Sequence, residues 1–183
     1  MSKTIYVDGT QVPTSNIKGA MTSEYQALEP SGTSNLFTGI AWNESEYKQF
    51  VQFNWYGTNG CWPYQSYDGG SHIGIMMVPT TQNEAYDWTQ NVQNGVNLFA
   101  GDKMTFAASW ESRIMSQYPQ LPQLTTVQRE RDALVFWGPY AGTVSQSGAY
   151  WVANPQGTAW VRTNLNPKAA NWVDMVESLV GVH

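Results

Sequence analysis

At 183 residues, 42% hydrophobic and 14% aromatic, the chain is long and apolar enough to build its own core, which excludes general disorder. Charged residues make up only 13% and the net charge is −5, so uncharged polar side chains must cover the surface; the nine Lys and Arg are scattered and form no stripe that would follow a nucleic-acid backbone. One cysteine, Cys61, excludes an internal disulfide, no run approaches the length of a membrane span, and "MSKTIYVDGT" lacks the apolar stretch of a signal peptide, which predicts synthesis in the cytoplasm.

Residues 1–33 are rich in Gly, Ser, Thr and Pro. "TIYV" followed by "DGT" predicts a short strand and turn, and the remainder reads as an irregular or hairpin arm. From Ser34 the pattern changes. Phe37, Ile40, Ala41, Glu44, Tyr47, Lys48 and Val51 recur at helical spacing, which predicts a helix reaching Val51 with Ser34 or Asn35 as its cap. Residues 57–72, "GTNGCWPYQSYDGGSH", read as loop and carry Trp62, Tyr64 and Tyr67 beside Asp68 and His72. The apolar run "IGIMMVP" follows. Residues 82–99 read as one helix, in which Gly95 costs roughly 1 kcal/mol relative to Ala and points to close packing. Further helices are predicted over 103–117, 125–137 and 167–180, the last with Pro167 at its first position. "GPYAGTVSQSG" is loop. The sum is a mainly α-helical domain over 34–183 behind an arm at 1–33, with at most a small sheet or hairpin near the N-terminus or after Gly57.

Two glutamates in "FTGIAWNESEYKQF" point in opposite directions on that first helix. At about 100° per residue from Phe37, Glu44 falls at about 340°, among Phe37, Ile40 and Val51, and Glu46 at about 180°. An isolated carboxylate on an apolar face is costly. A carboxyl group desolvated in this way holds its proton near neutrality and can give it to a leaving oxygen, as cleavage of a glycosidic bond requires. Glu44 is therefore the candidate general acid and Glu46 a solvated bystander. A carboxylate bonded to backbone groups at a helix end is the plainer reading, and periodicity alone leaves it open.

"ESEY" at 44–47, "GIMM" at 74–77 and "NVQNG" at 91–95, in this order and spacing, resemble the catalytic domain of soluble lytic transglycosylases and the related goose-type lysozymes, over about residues 34–178. The resemblance implies a lysozyme-like fold and cleavage of the β-1,4 bond between N-acetylmuramic acid and N-acetylglucosamine in peptidoglycan. Glu44 would act first as acid and then as acceptor of the muramic 6-hydroxyl proton, leaving a 1,6-anhydro end. It also implies Ser45, Ile75, Met76, Met77 and Asn91 as residues of the glycan cleft. Met77 departs from the family, which has Gln there, and a thioether is a poor polar contact. The family's Ala-Tyr-Asn motif has no clean counterpart in "LVFWGPYAG": either Phe136, without a hydroxyl, or Tyr140, followed by Ala141, takes the tyrosine position, and "YAGTV" favours Tyr140.

Aromatic rings pack well on sugar faces, and Trp62, Tyr64, Tyr67, Trp137 and Tyr140 flank these segments. The substrate-binding candidates are accordingly Ser45, Tyr64, Asp68, Ile75, Met76, Met77, Asn91, Phe136, Trp137 and Tyr140. Asp68 and Asp87 are the nearest candidates for a second carboxylate, which would favour hydrolysis by an activated water. His72 and His183 lack zinc spacing, Cys61 has no Cys–His–Asn set, and no Gly-rich phosphate loop follows a strand, so neither metal nor cofactor is expected. The expected partner is the peptidoglycan glycan strand. Action on the wall without a signal peptide calls for phage-type or secretion-system delivery, with a virion, secretion-apparatus or immunity protein as a further partner. A hydrolytic muramidase or chitinase of the same fold, and a glycan-binding protein without catalysis, are the alternatives.

Overall fold

A computed structural model describes residues 9–55, 58–67, 69–138, 149–164 and 167–180. It is mainly α-helical, and among the described residues the strands form three small antiparallel pairs. No described helix is long and apolar enough to cross a membrane. The chain divides into two units, residues 1–21 with 40–95 and residues 22–39 with 96–183.

The segment expected to be an irregular arm carries a helix, α1 (Thr14–Leu28). Ile17, Met21 and Tyr25, four residues apart, are fully buried along it. Its Ser, Thr and Gly content hides that stripe, yet one buried face is enough to stabilise a helix whose intrinsic propensity is weak. The strand expected at 4–7 lies outside the described residues.

Helix α2 (Ser34–Ser45) begins where the periodicity places it but does not reach Val51. Glu46 and Tyr47 take left-handed backbone conformations, φ 53° and 62°, and the chain turns into β1 (Phe50–Trp55). From Val51 to Trp55 the sequence alternates apolar and polar, a strand period, and this wins over the chance continuation of helical spacing through Tyr47. β1 pairs with β2 (Thr58–Pro63), from Phe50 opposite Pro63 to Trp55 opposite Thr58, so the hairpin begins seven residues before the expected site after Gly57 and Thr58–Pro63 of the expected loop is strand.

A second, minimal hairpin joins β3 (His72–Ile73) to β4 (Val78–Pro79) through residues 74–77. The helix expected over 82–99 is broken. α3 (Gln82–Tyr86) stops at Asp87, whose backbone is extended, and α4 (Trp88–Asn97) starts after it. Asp87 Oδ1 accepts from the N–H groups of Thr89 (3.0 Å) and Gln90 (3.2 Å) and from the Thr89 hydroxyl. These bonds, the Thr89 hydroxyl first, hold the Asp87 carboxyl below the usual carboxylate range. Asp87 is a helix cap.

In the second unit, a π-helical turn (Leu98–Lys103) precedes α5 (Met104–Gln117), followed by α6 (Thr126–Trp137), the pair β5 (Trp151–Ala153) and β6 (Trp160–Arg162), and α7 (Pro167–Val180). The core stacks Tyr25 on Phe37 (5.4 Å, 12°), with Phe99 tilted against Phe37 (5.5 Å). The Tyr25 hydroxyl donates to the fully buried Glu130 (2.5 Å), which also accepts from the Thr33 N–H (2.7 Å) and hydroxyl (3.1 Å). Thr125 and Gln128 close a capping box on α6. Asp132, also fully buried on α6, accepts from the N–H groups of Tyr150 (2.8 Å) and Trp151 (2.9 Å) and so ties β5 to that helix, while desolvation pushes its carboxyl up to about 8.

Candidate functional site

In the first unit, two stretches far apart in the chain, residues 45–49 and the helix that carries Asn91, converge on residues 73–76. Ser45, the last residue of α2, is buried and its hydroxyl donates to the carbonyls of Ala41 (3.1 Å) and Ile75 (2.7 Å). Asn91 of α4 is fully buried. Its Oδ1 accepts from the Met76 N–H (2.9 Å) and its Nδ2 donates to the Ile73 carbonyl (2.8 Å). Gln49 closes the third side: its Oε1 accepts from the Ile75 N–H (3.3 Å), and its Nε2 donates to the carbonyls of Glu84 (2.8 Å) and Ala85 (3.0 Å). A buried loop must satisfy its backbone groups: these three side chains take the Ile73 and Ile75 carbonyls and the Ile75 and Met76 N–H groups, while the Gly74 N–H donates to the Tyr64 carbonyl and the Gly74 carbonyl accepts from the Met77 N–H.

Two glycines make that approach possible. Gly74 has φ 77°, and a Cβ there would strike Asn91 and Gln49. Gly95 of α4 leaves room for the Met76 side chain; a Cβ there would overlap Met76 Cβ and Cγ. Gly95→Ala is therefore expected to destabilise by about 1–3 kcal/mol through overpacking, although Ala is the better helix former. Gly19 of α1, where a Cβ meets nothing within 4 Å, is the control, and Gly19→Ala should stabilise by about 0.5–1 kcal/mol. Urea unfolding of both variants beside the parent reads the two signs, and a stabilising Gly95→Ala would show that the contact with Met76 is slack.

Glu44 stands in the last turn of α2, half-buried, at the end of the face on which Phe37, Ile40 and Ala41 are fully buried. The expected company of Tyr47 and Val51 on that face is lost with the helix end. Glu46 is exposed and pairs with Lys48 (2.6 Å). The turn between Glu44 and β1 is held from outside by Gln11, whose Nε2 donates to the Tyr47 carbonyl (3.0 Å) and whose Oε1 accepts from the N–H groups of Gln49 (3.0 Å) and Phe50 (3.1 Å). Among the described residues, the non-glycine positions with positive φ are Glu46, Tyr47 and Met77. Two follow Glu44 and the third ends the loop that Ser45 holds, so the unusual backbone is concentrated at this cluster.

Several residues expected at the glycan cleft are buried or bonded to loop backbone. Ile75 and Met76 are fully buried, and the amide of Asn91 is spent on loop backbone, so these three position the loop. Ser45 is likewise occupied. Met77 is half-buried with φ 45°, and Tyr64 is half-buried, its N–H donating to the Gln49 carbonyl (2.9 Å) and its carbonyl accepting from the Gly74 N–H (2.8 Å). Phe136 and Trp137 belong to the second unit. Phe136 is fully buried against Phe106 (6.2 Å, edge-on), and Trp137 lies 6.2 Å from Phe99. Asp68 and Tyr140 lie outside the described residues. Gln11 and Gln49, which build the cluster, carry no motif that would single them out among the many polar residues of the chain. Among the described residues no three His, Cys, Asp or Glu side chains gather as a metal site.

No protein-family model matches this chain, and no match was found among curated proteins or solved structures.

Proposed function

We propose that the chain is a lysozyme-like glycosidase that cleaves the β-1,4 bond between N-acetylmuramic acid and N-acetylglucosamine of bacterial peptidoglycan, with Glu44 as the proton donor. One observation carries this reading: the three segments whose order resembles the lytic transglycosylases meet at one loop, through the Ser45–Ile75 bond (2.7 Å) and the two bonds of Asn91. The residue before Ser45 is thereby fixed beside a turn that cannot shift without breaking buried hydrogen bonds, the pre-organisation that a general acid needs.

In the proposed reaction Glu44 gives its proton to the glycosidic oxygen as the bond to the muramic C1 breaks. The carboxylate then takes the proton of the muramic 6-hydroxyl while that oxygen closes on C1, so the acid is regenerated and no water is consumed. Asp87 is engaged as a helix cap, which favours this one-carboxylate route over a water-activating pair. Delivery to the wall by a phage-type or secretion apparatus belongs to the same proposal.

Met77, at the position where the resembled family has Gln, favours a second reading: a glycan-binding protein without catalysis. Incubation with purified sacculi separates the two. Falling turbidity with release of soluble muropeptides is the expected outcome. Sedimentation of the folded protein with intact sacculi, with no release, would transfer the assignment to binding alone.

A further inference from the structure

The first unit opens a cleft of about 350 Å³, walled by Trp62 of β2 and Tyr86 of α3 and floored in part by Ile73. Both rings are large and left in water, Trp62 53% and Tyr86 46% exposed. They stand on different elements, so the fold holds them as separate walls. Gln65, Thr80 and Thr81 supply the polar lining, and no lining residue is charged. The Thr80 hydroxyl is used by the Gly70 carbonyl (2.7 Å), whereas the Thr81 hydroxyl accepts from the Glu84 N–H (3.5 Å) and keeps its own proton to donate. The Trp62 indole N–H, the Gln65 amide and the Tyr86 hydroxyl make no hydrogen bond to a described residue.

The distribution of exposed rings is uneven. In the first unit the large hydrophobic side chains described as exposed are Trp42, Trp62, Tyr67 and Tyr86, all aromatic; in the second they are Leu28, Val161, Met175 and Leu179, none aromatic. Aromatic exposure therefore belongs to the unit that carries Glu44. Flat rings with unengaged donors and acceptors between them, in an uncharged setting, suit a ligand with apolar C–H faces and hydroxyl or amide edges. A membrane surface would ask for convex exposure and basic residues, and an anion would ask for a cation in the lining; the cleft has neither.

We infer that the Trp62–Tyr86 cleft is a subsite for one neutral N-acetylhexosamine ring of the glycan strand, an inference that rests on the glycan-directed reading above. The pyranose packs its C–H face on the two rings, and its hydroxyl and acetamido groups meet Gln65, Thr81 and the ring N–H and O–H groups.

The test is calorimetric titration of the full chain with triacetylchitotriose, beside sedimentation with purified sacculi. Trp62→Ala and Tyr86→Ala are each expected to weaken binding about tenfold or more, the usual effect of removing an aromatic anchor, with Trp62→Phe, which keeps a ring face and loses the indole N–H, between Trp62→Ala and the parent. Tyr67→Ala, fully exposed and outside the cleft lining, should bind as the parent does. Melting curves confirm folding, and Tyr86→Ala decides the matter where Trp62→Ala does not fold. Parental affinity in both alanine variants, or no binding of the trisaccharide by the parent, overturns the subsite. Ring-dependent binding without any sacculus digestion keeps the subsite and removes the cleavage reading; digestion with parental binding in both variants does the reverse.

Discussion

Glu44→Gln is expected to lower the rate of sacculus digestion by roughly 10²–10⁴, the usual worth of a positioned acid–base group, while the protein still folds. Glutamine keeps the size and the hydrogen-bonding capacity of the side chain and removes only the proton that can be transferred. Glu44 follows the buried face of α2 and precedes Ser45, whose hydroxyl fixes the helix end to the Ile75 carbonyl, and the substitution leaves that bond in place. Glu46→Gln should leave the rate within a few-fold. Glu46 is exposed, and its pair with Lys48 is a surface ion pair of the kind that contributes about 0–1 kcal/mol. Initial rates on purified sacculi, with melting curves for both variants, make the comparison. A folded Glu44→Gln variant with parental activity would mean that the half-buried carboxylate serves the backbone at a helix end.

Asn91→Asp should produce the largest loss of stability, because Asn91 is, among the described residues, the one side chain that both donates to and accepts from the motif loop. An aspartate preserves the shape and the acceptor for the Met76 N–H. It replaces the donor to the Ile73 carbonyl with a second oxygen, so two acceptors face each other in a fully buried position. Leaving a buried charge uncompensated costs about 3–5 kcal/mol, a large part of the stability of an ordinary domain. The sign of the pH dependence follows. The native state favours the protonated form, which can donate to Ile73, so the folded pKa of the introduced group lies above its unfolded value. Below the unfolded value both states are protonated and the penalty is absent; it grows as pH rises through that value. Urea unfolding at about pH 7 and about pH 4 should therefore show a large deficit against the parent at the first and a much smaller one at the second. Equal stability of parent and variant at neutral pH would remove Asn91 as the anchor of the loop. Digestion should fall with stability, because Ile75, the acceptor of Ser45, lies in the same loop.

Much of the helical body was legible because its elements obey a single period. The spacing from Phe37 to Ala41 placed the start of α2, and the patterns over 103–117, 125–137 and 167–180 placed α5, α6 and α7 to within a residue or so. Elsewhere two periods competed. Tyr47 and Val51 continued the helical spacing by chance, while the alternation from Val51 to Trp55 belonged to a strand, and left-handed Glu46 and Tyr47 marked the change without the glycine that usually announces it. Asp87 sat inside a helical pattern as an ordinary polar residue, although its short carboxylate suits a cap better than a helix interior. α1 was obscured by Ser, Thr and Gly between Ile17, Met21 and Tyr25.

The cluster around Glu44 was legible in outline through "ESEY", "GIMM" and "NVQNG", and Gly95 was readable as a point of close approach, which Met76 occupies. The direction of individual side chains was not. A four-residue turn whose apolar residues face inward has the same sequence as one that faces a ligand, so the full burial of Ile75 and Met76 carries no mark in the sequence. Gln11 and Gln49 act through single amides placed by the fold, and no spacing rule identifies such a residue in advance. Trp62 reads in the sequence as a ring in a loop, but its pairing with Tyr86 across a cleft depends on the β1–β2 hairpin and on the helix break at Asp87.

Mass spectrometry of the muropeptides released from purified sacculi tests the central claim most directly, because it reads bond, mechanism and product together. Cleavage by Glu44 alone, with the muramic 6-hydroxyl as the internal nucleophile, predicts 1,6-anhydromuramic ends in the parent digest, each one water lighter than the hydrolysed product, and their near disappearance with Glu44→Gln. Reducing muramic ends throughout the parent digest would contradict the one-carboxylate mechanism and move the assignment to hydrolysis, and the absence of any released muropeptide would contradict cleavage itself.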